Sequence, residues 1–198
     1  MHKKRYIFPK RIFDVVLALT VIVTILSWMV PLIALLIFIE SKDKTFFKQK
    51  RIGKNGKPFD IFKFKSMTGN PPVNDPLLSI DEFARITKIG RFMRKYRIDE
   101  FPQFINVLKG EMSIVGPRPE RQFFLDDMIA NIPRYKKMLK LKPGITSLGQ
   151  IKYGYADNLE QMLKRARYDL IYLDNLNFWT DIKVILSTIV VVFQGKGR

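Results

Sequence analysis

Two adjacent carboxylates, Asp99 and Glu100, stand in the segment Ile98-Asp99-Glu100-Phe101-Pro102-Gln103, just after the cations Arg94, Lys95 and Arg97. Pro102 belongs in the first turn of a helix, which predicts Asp99 near the N-cap and Glu100 near the first helical position. Adjacent helical residues point about 100° apart, so the spacing argues against a pair sharing one proton. The helix dipole and the upstream cations are expected to keep Asp99 ionised at neutral pH. An ionised, partly exposed carboxylate can act as a nucleophile or a Mg²⁺ ligand, and acidic residues at helix starts are also ordinary caps. Spacing alone leaves these readings open.

A second group is Gly116-Pro117-Arg118-Pro119-Glu120. The residue before each proline is held extended, so Arg118 lies in a stiff segment that presents its guanidinium at little entropic cost. Pro119 is expected to open the following helix, whose free N–H groups would form an anion site beside Arg118. A phosphate clamp fits this pattern, and so does a rigid turn with a salt-bridged Arg. Lys142-Pro143-Gly144-Ile145-Thr146 reads only as a turn. Neither a Walker loop nor a dinucleotide-binding glycine pattern occurs.

Composition explains why carboxylates matter. The 198 residues include no cysteine and one histidine, His2. Disulfides, thiolate metal sites, thiol nucleophiles, His-rich metal sites and Ser-His-Asp catalysis are therefore excluded. What remains is chemistry on carboxylates, Lys, Arg, Tyr, hydroxyls or hard oxygen-liganded cations. The 35 Lys+Arg against 18 Asp+Glu give a net charge of +17, which calls for an anionic partner: nucleic acid, an anionic membrane or phosphorylated substrates.

The elements that must position these residues begin with an apolar run. Residues 15–39 carry no charge, which suits a bilayer-crossing helix of about 20 residues or more better than a core helix. Basic residues flank it on both sides: Lys3, Lys4, Arg5, Lys10 and Arg11 before, and Lys42, Lys44, Lys48, Lys50 and Arg51 after. That symmetry is satisfied by a re-entrant hairpin bent near Pro31 with both ends cytoplasmic, the alternative being a kinked single crossing. Residues 45–67 read as a β-hairpin around Asn55-Gly56, and 69–76 as a loop. Helical periodicity starts near Asp81, with Ile86, Ile89, Met93 and Tyr96 on one stripe and Lys88, Arg91, Arg94 and Lys95 off it. Further helices are predicted over 100–108, 121–132, 159–173 and 178–193. The last is read as interfacial, with Phe178 and Trp179 at headgroup level, or as a buried core helix. The expected architecture is α+β and mostly helical: a membrane anchor over 1–44 and a small catalytic domain over 45–198 with a hairpin and interfacial helices.

The motifs together resemble the bacterial sugar transferase family, the single-domain polyprenyl-phosphate phosphoglycosyl transferases. KRIFD (10–14), FFKQKRIGKNGKPFDIFKFKSM (46–67), IGRFMRKYRIDEFPQFINVLKGEMSIVGPRPE (89–120) and LKPGITSLGQI (141–151) carry the resemblance over nearly the whole chain. It implies an enzyme on a re-entrant helix at the cytoplasmic face of the bacterial inner membrane. Such an enzyme moves a sugar 1-phosphate from a UDP-sugar to undecaprenyl phosphate and so starts a surface glycan. By resemblance, Asp99 is the nucleophile and Glu100 completes the dyad; Mg²⁺ binds near Asp99, and UMP leaves. Substrate binding falls, on the same basis, to Arg94, Arg118, Pro117, Pro119, Lys63 and Lys65, and to Gly144, Thr146 and Gln150 of the 143–150 loop. The sequence departs from many members in having Val30 before Pro31 in place of a Ser-Pro break, and SLGQ (147–150) in place of GWAQ. A non-catalytic binder of anionic membrane lipid or nucleic acid is the alternative class. The lack of a nucleic-acid module favours lipid. The sequence leaves homo-oligomerisation open.

Overall fold

A helix opens the chain and continues through the whole apolar run. The computed structural model describes residues 2–69, 84–195 and 197. α1 (His2–Val21) passes through a widened π-type turn, Ile22–Leu26, into α2 (Ser27–Ser41). The helical backbone is not broken at Pro31, where the sequence predicts a bend; the irregularity falls on the turns before it. Proline withholds an N–H and crowds the carbonyl one turn earlier, and a π-type turn is one way a helix absorbs that misfit. Side-chain donors occupy carbonyls in this stretch: the Thr24 hydroxyl donates to Thr20 O at 2.6 Å, Ser27 to Val23 O at 2.7 Å, and the Trp28 indole to Thr24 O at 2.9 Å.

Residues Phe8–Ser41 make a helix long and apolar enough to cross a membrane by length and composition. Yet Asp14, Ala18, Leu26, Ile33 and Ile37 are buried against the rest of the chain, while Phe8, Val16, Val23, Trp28, Leu35 and Phe38 are exposed. Both ends are tied to the globular part. The Arg11 guanidinium donates to Val107 O (2.7 Å) and Leu108 O (3.1 Å), and the Glu40 carboxylate accepts from the amides of Lys88 (2.6 Å) and Ile89 (3.0 Å).

The predicted hairpin is present. β1 (Phe46–Ile52) pairs antiparallel with β2 (Pro58–Phe64), Phe46 opposite Phe64 and Ile52 opposite Pro58. Asn55 (φ 59°) and Gly56 (φ 75°) take left-handed backbone in the turn, which their residue types permit at low cost. The 69–76 loop beyond Gly69, and the helix start near Asp81, lie outside the described residues. α3 (Lys88–Lys95) is N-capped by the Thr87 hydroxyl, which accepts from Gly90 N at 2.8 Å. After a short 3₁₀ turn (Ile98–Glu100), α4 (Gln103–Lys109) begins with Pro102 at its N-cap, so the helix predicted from Glu100 starts three residues later.

The second half is assembled on a two-strand parallel pair, β3 (Ser113–Val115) with β4 (Gly144–Thr146), too short to leave a sequence pattern. α5 (Gln122–Asn131) and a 3₁₀ segment (Pro133–Lys140) lie between them; α6 (Leu148–Lys152), α7 (Leu159–Asp174) and α8 (Phe178–Phe193) follow. Asn158 and Asn177 cap α7 and α8 through their side-chain oxygens. One apolar cluster, including Ala18, Ile61, Val107, Ile114, Tyr172 and Val184, joins α1, the hairpin, α4, β3, α7 and α8. A second, Leu26, Ile33, Ile37, Phe64 and Met93, seats α2 on the hairpin and α3. α8 has one buried and one exposed apolar side. Asp181 and Val184 are buried, whereas Trp179, Leu186, Val190 and Phe193 face outward.

Asn106 ties the hairpin to α4. Its carboxamide oxygen accepts from Phe62 N at 3.0 Å, and its amide donates to Asp60 O (2.8 Å) and to the Glu111 carboxylate (2.7 Å). Asn106→Ala strands these buried groups and should lower stability by about 2–4 kcal/mol, read as a fall in the denaturant unfolding midpoint.

Candidate active site

Asp99 and Glu100 lie on the 3₁₀ turn between α3 and α4, entered through Arg97, whose φ of 54° places a non-glycine residue in left-handed backbone. Both carboxylates line a cleft of about 460 Å³ together with Lys63, Arg94, Arg97 and Arg118. The Lys63 ammonium donates to Glu100 Oε1 at 2.8 Å and lies 3.7 Å from Asp99 Oδ2; Arg118 Nη1 lies 3.6 Å from the same Glu100 oxygen. Although adjacent in sequence, the two acids thus converge on one lysine.

That shared cation treats them unequally. Burial alone would raise Glu100, but Lys63, Arg118 and Arg97 hold it well below the usual carboxylate range. Asp99 shifts the other way. Burial pushes its carboxyl up and the Glu100 charge adds to this, against Lys63, Arg94 and Arg118. The sequence predicts an Asp99 held ionised by an exposed helix start. The structure instead buries it to 7% exposure, so desolvation outweighs the cations. Two carboxylates whose environments push their proton affinities apart are suited to different tasks.

Of the other residues singled out in the sequence, Lys63, Lys65, Arg94, Arg118 and Gln150 line this cleft. Lys65 is held by Asp43 at 2.6 Å. Gln150 is buried with its side-chain oxygen unpartnered among the described residues. Pro117 and Pro119 act through their carbonyls, which accept from Gly144 N (2.9 Å) and Arg51 (3.3 Å). Gly144 and Thr146 are not brought to the cleft. Gly144 packs so closely on Gly116 that a Cβ there would meet its amide nitrogen at 2.1 Å, and the Thr146 hydroxyl pairs with Thr188 at 2.7 Å. α5 begins at Gln122 behind an Arg121 N-cap, so Pro119 does not open it.

Sequence reasoning missed a second charged group in the same cleft. Arg165 of α7 donates to Glu120 Oε1 at 2.6 Å, both side chains 5% exposed, and Arg51 Nη1 lies 3.8 Å from Glu120 Oε2. Arg51, counted in the sequence among the membrane flanks, is instead part of the cleft wall. Strand alternation was the available signal: Phe47, Gln49 and Arg51 share one face of β1 and all three line the cleft. Next to Arg165, the buried Asp169 accepts from Gly149 N at 2.8 Å and so holds the α6 turn that carries Gln150. Here α6 approaches α7 very closely, since a Cβ at Gly149 would sit 2.8 Å from Arg165 O.

The cleft combines paired carboxylates with several guanidinium groups, a chemistry suited to phosphate groups. The family described as bacterial sugar transferase matches residues 5–195, and the chain belongs to it. The chain is 37% identical over 97% of its length to a UDP-N-acetylgalactosamine-undecaprenyl-phosphate N-acetylgalactosaminephosphotransferase of Aeromonas hydrophila, of which 45% is covered. It is 40% identical over 95% of its length to a UDP-glucose:undecaprenyl-phosphate glucose-1-phosphate transferase of Escherichia coli K12, of which 41% is covered. A Caulobacter vibrioides protein of the latter name is 36% identical over 91% of the chain, which covers 68% of it. The chain thus spans less than half the length of the first two.

Asp169 provides a test of the cleft's second wall. Burial raises its carboxyl from 3.8 to about 6, against the Gly149 amide and Arg165. Between those values the native protein holds a proton that the unfolded chain has lost, so stability should fall as pH rises through this window and level off above it. Asp169→Asn should flatten that slope, measured by urea unfolding across the window.

Proposed function

We propose that the protein is a phosphoglycosyl transferase that moves a sugar 1-phosphate from a UDP-sugar to undecaprenyl phosphate through a covalent intermediate on Asp99. The observation that carries this reading is the unequal pair: Glu100 is committed to Lys63 and Arg118, while Asp99, buried beside it, lies farther from the lysine. An Asp99 carboxylate oxygen attacks the sugar-linked phosphorus, the bond from that phosphorus to the bridging oxygen breaks, and UMP departs. An oxygen of undecaprenyl phosphate then attacks the same phosphorus, the bond to Asp99 breaks, and the carboxylate is restored. Burial suits Asp99 to attack, because a desolvated carboxylate is a stronger nucleophile than a hydrated one. Lys63, Arg94 and Arg118 are placed to bind the diphosphate and the charge that develops on UMP. Glu100, held ionised, fits a fixed charge that orients Lys63 and Arg118 better than a proton acceptor.

Mg²⁺ belongs to the same proposal. Among the described residues no three His, Asp or Glu side chains form a ready-made cage. Mg²⁺ commonly takes one or two carboxylates and completes its shell with water and substrate phosphates, so the Asp99–Glu100 turn fits it, with Asp99 as the protein ligand. Bound there, it would neutralise diphosphate charge.

We place the enzyme at the cytoplasmic face of the bacterial inner membrane, at the first membrane step of surface-glycan synthesis. Support for a one-sided seat comes from the long helix: Arg11 and Glu40, near its two ends, bind the same globular unit, and its exposed face is apolar. The basic residues around it suit anionic lipid. The relatives' names differ in the sugar carried, so the proposal is of the UDP-sugar class.

With UDP-sugar and Mg²⁺ but no lipid acceptor, labelled sugar phosphate should be trapped on the protein and one equivalent of UMP released. Asp99→Asn should abolish both; UMP release that survives this change would overturn the assignment. Glu100→Gln should still trap label, but more slowly by roughly 10²-fold, the usual scale for a lost electrostatic partner in a buried site.

A further inference from the structure

Gly195 and Gly197, beyond α8, pack against the active-site turn. Gly195, in left-handed backbone (φ 61°), closes the helix by donating to Val192 O at 3.0 Å. It packs on Lys95 and Tyr96 so closely that a Cβ would meet Lys95 Cε at 2.8 Å and the Tyr96 ring at 3.3 Å. Two residues on, Gly197 donates its amide to Lys95 O at 2.9 Å, and a Cβ there would fall 2.1 Å from Arg94 O and 2.5 Å from Lys95 O. Those obstacles are backbone atoms and cannot swing away. Gly197 also lines the cleft.

What this segment grips is the short connection between Arg94 and Asp99. Arg97 donates to Arg94 O at 3.2 Å and Glu100 to Arg97 O at 3.1 Å, with Arg97 itself in left-handed backbone. A non-glycine residue held there needs its neighbours to over-determine the conformation. At the end of α3, Tyr96 keeps a helical bond to Phe92 O (3.3 Å), Arg97 closes a tighter one on Arg94 O, and Gly197 adds a long-range bond to Lys95 O.

From this geometry we infer that Gly195 and Gly197 form a positioning strap for the active site, fixing the Lys95–Arg97 turn and through it the placement of Arg94 and Asp99. The inference rests on the phosphotransfer reading of the cleft. The strap also joins the turn to α8, whose Leu186, Val190 and Phe193 are exposed. Whatever apolar phase seats α8 therefore also bears on the catalytic turn through three residues of chain.

Gly197→Ala and a chain shortened after Gln194 are compared with the parent, all membrane-bound, in two measurements. In the first, hydrogen exchange of the amides of Arg97 to Phe101 should speed up in both variants, while those of β2 and α7 stay as in the parent. In the second, kcat for UMP release should fall by roughly ten-fold or more at a nearly unchanged KM and unfolding midpoint, since small misplacements of a reacting group cost rate steeply. Unchanged exchange at that turn overturns the strap whatever the activity. Faster exchange with undiminished kcat, or a loss of rate that only follows a loss of stability, overturns it as well. A parent protein that releases no UMP from any UDP-sugar instead overturns the phosphotransfer reading, and the exchange measurement still decides whether the turn is strapped.

Discussion

One ammonium group holds the centre of this molecule together. Lys63 enters the cleft from β2 and meets Glu100 and Asp99, which arrive on a turn between two helices. Without it two carboxylates would be buried side by side, an arrangement that drives protons onto one of them. With it, Glu100 stays charged and Asp99 keeps a raised proton affinity. The hairpin must therefore be rigid, and Asn106 makes it so by bonding β2 to the helix that follows the carboxylates. Strand and acid turn are locked to each other by a buried carboxamide.

Five of the arginines that line the cleft fall into two groups. Arg94, Arg97 and Arg118 surround the acid turn. Arg51 and Arg165 instead share Glu120, which lies directly after the Pro117-Arg118-Pro119 segment. A buried ion pair adds little net stability over an apolar substitute, but removing one partner is costly. Its evident result here is register: it fixes the proline segment between β1 and α7, and so fixes where Arg118 points.

Much of this was legible in the sequence where a local rule dominates. Asn55-Gly56 announced the hairpin, and α8 was bounded correctly by its apolar periodicity. Asp99, Glu100 and Arg118 stood out because their neighbours include prolines and cations. What remained hidden depends on distant parts of the chain. Arg51 looked like a membrane flank until Glu120 met it, and the burial of Asp99 was missed because burial is a property of the assembled fold. β3 and β4 are three residues each, too brief for any periodic signal, and Gly144 and Thr146 serve that pairing rather than the cleft. Around Pro31 the helix is unbroken, and the irregular turn lies upstream at Ile22–Leu26, a placement that a single-residue rule does not give.

The buried Asp181 of α8 joins distant parts of the chain. Its carboxylate, on the last helix, accepts hydrogen bonds from Tyr172 and from Tyr6 and Lys10 on the first, a separation of 175 residues in the case of Tyr6. Contacts that distant close late, because loop entropy must be overcome before they form. During synthesis Lys10 therefore emerges 171 residues ahead of its carboxylate partner. Until α8 is made, Tyr6 and Lys10 lack the carboxylate that receives them, and this part of α1 gains its last polar partner only then.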